Sequence, residues 1–114
     1  MKKKTIKISS LDTHVLVFIG SFDECDKVLS KYGEYSIDGS AALALEVVYD
    51  CDWECVLIFD EEQITNETIW HESLHSAFKV LHRKNIDTDY KQQESLAYLQ
   101  GYIATEILKI VLNK

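Results

Sequence analysis

The run His14–Ile19 is apolar and largely β-branched, and Gly20 ends it. A run of that kind marks a buried strand. A second run, Trp53–Phe59, splits by alternation: Trp53, Cys55, Leu57 and Phe59 fall on one face, Glu54, Val56 and Ile58 on the other. Between the two runs, Ser21 and Glu24 have the spacing of a capping box, and Phe22, Cys25, Val28, Leu29 and Tyr32 recur at helical intervals. A helix is therefore expected to about Tyr32, with Gly33 as its C-terminal cap. Ala41–Tyr49 mixes helix formers with Val47, Val48 and Tyr49. The turn expected at Asp50–Asp52 favours a strand from about Leu43, joined to Trp53–Phe59 as an antiparallel hairpin. Lys4–Ile8 alternates weakly and fits a short edge strand.

Two longer helical patterns follow. Ile69, Trp70, Leu74, Ala77, Phe78 and Leu81 recur at helical spacing after an Asn/Thr cap signal, which predicts a helix from about Asn66 to Arg83. Asp89 and Gln92 have the spacing of a second capping box. Leu96, Leu99, Ile103, Ile107 and Ile110 then form the buried row of a helix ending near Leu112. The chain has no proline, and no repeat, linker or low-complexity segment divides it. Residues 1–114 read as a single α+β domain, a short and mostly antiparallel sheet packed on the two long helices.

Charge narrows the partners. The net charge is −7 and the pI about 5.0, which argues against a nucleic-acid partner held through its phosphates. No apolar run reaches the length of a membrane span. Lys2-Lys3-Lys4 reads as a solvated terminus. Asp12, Asp23 and Glu24 lie around the short apolar stretch that follows, which argues against a signal peptide, so a cytoplasmic location is expected. Cys51 and Cys55 are four apart, not the two apart of a zinc knuckle, and with Cys25 they are expected to be reduced thiols packed as small hydrophobes.

The first of the two long helical patterns carries the candidate chemistry. Within Asn66–Arg83 stands His71-Glu72-Ser73-Leu74-His75, the pattern H-E-x-x-H. Residues four apart share one face of a helix, so both imidazoles can reach one metal ion. Glu72 lies to one side, where it can hold a water as general base. A surface helix carrying two histidines and a glutamate by chance is the plain alternative. A catalytic zinc needs a third protein ligand. The last helix offers Glu94 and Glu106, twelve residues and about 18 Å apart along the axis, so only one of them can reach the same ion. His82 is about 10 Å beyond His75, too far to share the metal, and is expected at the surface. His14 opens an apolar strand and is expected to be structural.

These residues carry a resemblance. An H-E-x-x-H helix followed by a helix bearing a glutamate resembles the gluzincin group of zincins. The segments Thr68–Ala77 and Glu94–Ile103, the second with the pattern Glu94-x-x-Ala97-Tyr98, resemble small phage-encoded zincin-like proteins. The likeness spans about residues 64–104. It implies a zinc-dependent metallopeptidase with a peptide or protein substrate, with His71, His75 and Glu94 as zinc ligands and Glu72 as the base. Tyr98, one turn beyond Glu94, is then a candidate oxyanion donor and equally a packing tyrosine. Zincins hold substrate extended along an edge strand, and a resemblance there would make Trp53–Phe59 the rail, through strand addition. The rival reading is a non-catalytic binding module tied together by zinc, and a third is an acidic inhibitor or decoy of a host protein, which the charge of −7 permits but does not select. A carboxylate between the ligands favours catalysis, since a structural site has no need of one.

Overall fold

The computed structural model describes residues 1–33, 36–49, 52–89 and 93–113. The chain forms β1 (Lys2–Ile8), a 3-10 turn (Ser9–Leu11), β2 (Thr13–Gly20), α1 (Phe22–Ser30), β3 (Ala42–Tyr49), β4 (Asp52–Asp60), α2 (Asn66–Arg83) and α3 (Gln93–Leu112). The sheet order is β1-β2-β4-β3. The outer pairs are antiparallel, with Ile6 opposite Val15 and Ala44 opposite Leu57; the inner pair is parallel, with Val17 opposite Leu57. The sheet is thus mixed. The chain leaves β2 through α1, returns as β3, and reverses into β4, so β4 enters beside β2 in the same direction.

Both faces of the sheet are covered. Val15, Val17, Ile19, Cys55, Leu57 and Phe59 pack toward α2 and α3, meeting Ile69, Ala77, Val80, Ile103 and Ile107. Phe18, Val56 and Ile58 point the other way, onto Cys25, Val28 and Leu29 of α1 and onto Ile37. Burial on both sides is why β2 and β4 are apolar at consecutive positions. Each methylene so buried contributes roughly 0.8 kcal/mol. Cys25 and Cys55 are buried as expected; Cys51 lies outside the described residues, as does the Gln92 half of the second capping box.

Local chemistry sets the helix starts. Ser21 Oγ accepts from the Glu24 amide at 3.2 Å while the Glu24 carboxylate accepts from the Ser21 amide at 3.0 Å, the reciprocal pair the sequence predicts. α1 stops at Ser30, short of Tyr32, and Lys31 rather than Gly33 occupies its C-terminal cap. Phe22, expected in the buried row, is exposed at the first helical position. Asp60 shapes the turn into α2 by accepting from the Glu62 amide at 3.0 Å and from Gln63 Nε2 at 3.0 Å. Thr65 then caps α2, accepting from the Thr68 amide at 3.1 Å.

The two sheet edges differ. β1 carries four lysines, which discourage pairing with another strand. Its terminus is not simply solvated: Lys2 Nζ donates to the carbonyls of Ile110, Val111 and Asn113 at 3.0, 3.3 and 2.9 Å. That places a cation on the carbonyl end of α3, where the helix dipole favours it. β3 carries one charged residue, Glu46. Among the described residues no helix is long and apolar enough to cross a membrane.

Candidate metal centre

α2 presents three distinct flanks. Ile69, Ser73, Ser76, Ala77 and Val80 face the sheet and are buried. Ser73 Oγ donates to the Ile69 carbonyl at 2.7 Å and Ser76 Oγ to the Ser73 carbonyl at 3.0 Å. Both hydroxyls are therefore satisfied within the helix, and small side chains let α2 lie close to the strands. A second flank faces β3, where Lys79 Nζ meets Glu46 Oε1 at 3.6 Å. Glu72, seven residues before Lys79 and so almost in line with it, shares that flank. On the third flank lies α3, whose Gln100 Nε2 donates to the Trp70 carbonyl at 3.1 Å.

His71 and His75 stand on the outer face between the β3 and α3 flanks. Their Nε2 atoms are 3.1 Å apart, with ring centroids at 4.7 Å and planes inclined by 74°. The His71 side chain is 66% exposed. Glu72 is buried, and its Oε1 lies 4.0 Å from His71 Nε2. Burial lifts the Glu72 carboxyl above its ordinary value, while His75, His71 and Lys79 pull it down in part.

The Nε2 spacing is that of a hydrogen bond between the two rings, and it is also compatible with one shared zinc ion. Two nitrogens bound to one tetrahedral zinc at roughly 2.0–2.1 Å would be separated by about 3.3 Å, close to the spacing of the pair. The third donor is not in place. Among the described residues no group of three His, Cys, Asp or Glu side chains converges. Glu94 lies exposed in the first turn of α3, and α3 packs on the flank of α2 opposite Glu72. Glu106 pairs with Lys109 at 3.2 Å beside β1. Tyr98 is 76% exposed and lines a cavity of about 490 Å³ with Ile8, Leu11, Leu81 and Leu99, away from the histidines. The structure therefore unites His71, His75 and Glu72 and leaves Glu94 and Tyr98 elsewhere.

Trp53–Phe59 is an interior strand and not the rail expected of it. β4 is paired on both sides, to β2 and to β3, so Trp53–Phe59 has no free edge to offer a peptide. The free edge on the Glu72 flank belongs to β3. His82 is exposed, as expected, and with Glu46, Phe78, Lys79 and Asp87 it lines a cleft of about 350 Å³ one to two turns past His75. His14 is half-buried at the start of β2.

Two features of the site lay beyond the sequence reading. The Lys79–Glu46 pair depends on a strand whose position periodicity does not give. Trp70 and Phe78, expected in the buried row, are 43% and 40% exposed beside the histidines. A signal for that existed: at about 100° per residue they sit roughly 100° and 180° from Ile69. No protein family, no curated protein and no solved structure matches this chain.

Proposed function

We propose that this chain is a small zinc-dependent hydrolase of the zincin type, acting on a peptide or amide bond. The observation that carries this reading is the Nε2 separation of 3.1 Å between His71 and His75 with a buried carboxylate, Glu72, beside them. His71 and His75 would hold the zinc. Bound there, zinc supplies Lewis acidity that brings the pKa of a water toward ~7. Glu72 accepts the proton of the attacking water and returns it to the leaving amine. Its burial suits this role, since a carboxyl raised from its ordinary value is a better proton acceptor near neutral pH. An extended substrate would add to the outer edge of β3, which pairs with no second strand among the described residues and where Val48 is 65% exposed.

A non-catalytic, zinc-tied binding module is favoured by one observation, the lack of a third donor among the described residues. Loading the purified chain with zinc and presenting a broad peptide library separates the two. Cleavage that stops on chelation supports the hydrolase; zinc bound with no cleavage supports the module.

A further inference from the structure

We propose that two copies of this chain share one zinc ion, His71 and His75 of each filling the positions the other leaves open. The inference rests on the reading of this pair as zinc donors and adds a regulatory state to it.

The donors point outward. His71 and His75 converge on the exposed face of α2, not into the cleft between α2 and β3. A metal held by both would sit at the protein surface. Tetrahedral zinc offers four positions, and among the described residues the His71–His75 pair supplies two donors. An isologous contact brings the same patch of each copy against the other, so a two-fold axis through the metal turns two imidazoles into four.

The surface around the pair suits such a contact. From Trp70 to Phe78 the exposed positions are Trp70, His71, His75 and Phe78. None carries a fixed charge. A chain of net charge −7 repels itself over most of its surface; on this face α2 exposes one acidic residue, Glu67, a turn before His71. Trp70 and Phe78, each about two-fifths exposed, flank the histidines along the helix, and Leu74 lies half-buried between them. Aromatic side chains around a desolvated centre are what interface cores enrich. The shared site would be closed, with no position left for water, so the dimer would be hydrolytically silent. Zinc in excess over the donor pairs would give each copy its own ion and reopen the site.

Sedimentation velocity of the full chain during a zinc chloride titration tests this. The expected course is a monomer of 13.1 kDa without zinc, a doubling of mass that peaks at one zinc per two chains, and a return toward monomer in excess zinc. His71→Ala and His75→Ala, both surface changes, should stay monomeric throughout, while Glu94→Ala should dimerise like the parent. A chain that stays monomeric while binding one zinc would overturn the shared site and leave the hydrolase reading intact. Dimerisation that survives His71→Ala would also overturn it. A chain that binds no zinc would overturn both readings.

Discussion

Gln100 of α3 donates to the backbone carbonyl of Trp70 at 3.1 Å, and this contact fixes which side of α3 faces α2. Glu94 lies six residues earlier, roughly 120° away around the helix. It therefore cannot face α2 where Gln100 does. Glu94→Ala is expected to leave zinc affinity within about twofold, whereas His71→Ala or His75→Ala should weaken it by more than about tenfold. Competition against a chromophoric chelator reads both. Equal losses in Glu94→Ala and His71→Ala would show that α3 turns to bring its carboxylate to the metal.

Zinc should also stabilise the fold. A ligand bound only by the folded chain adds about 2.7 kcal/mol at a hundredfold excess over its Kd. For a domain of this size that is on the order of ten degrees in Tm. Differential scanning calorimetry with and without chelator measures it, and a melting curve indifferent to zinc would mean that the pair holds no metal in the native state.

The helix that carries the pair was legible because its signals are local. Thr65 caps it, Ile69, Ala77 and Leu81 repeat at its period, and the expected span Asn66–Arg83 coincides with the observed one. The end of α3 near Leu112 was legible for the same reason. Strand order was not. Periodicity says that β4 is buried, but which strand lies on each side of it depends on how α1 carries the chain across the sheet. A clue was present in Val56-Leu57-Ile58-Phe59, apolar on both faces, which marks an interior strand rather than an exposed rail. The azimuth of α3 was legible as well: Leu99, Ile103, Ile107 and Ile110 set its buried side, and Glu94 lies roughly 180° around the helix from Ile103. β1 extends back to Lys2, paired opposite Ile19 of β2, and the Lys2 side chain reaches the end of α3, a contact between residues more than a hundred positions apart.

The buried thiols give the fold a pH limit. Desolvation pushes Cys25 up to about 11 and Cys55 up to about 12. A raised pKa means that the folded state favours the neutral thiol. That contribution is complete below the ordinary thiol value of about 8.5–9 and is lost as pH climbs toward 11 and 12. Stability should fall above about pH 9 on this account. At pH 8 both residues should resist iodoacetamide in the native chain and react in urea. Peptide mapping assigns the modification, and rapid native labelling of Cys55 would contradict its burial beneath α2.

Glu72 gives the sharpest test of chemistry against architecture. Its carboxyl is buried on the β3 flank, 4.0 Å from the His71 Nε2 that it would not share a ligand role with. Gln has the same shape and can keep a hydrogen bond to water, but it cannot take a proton. Glu72→Gln is therefore expected to hold zinc within a few-fold of the parent and to melt no lower without metal, since it removes a charge from a buried position. Cleavage by the zinc-loaded, monomeric chain should fall by about 10²–10⁴-fold, the usual worth of a positioned base. The loss should appear in kcat with little change in KM if, as proposed, substrate lies along β3 and not on Glu72. Matched kcat values for parent and variant would remove Glu72 from the reaction. A large loss of zinc affinity would instead make it a ligand.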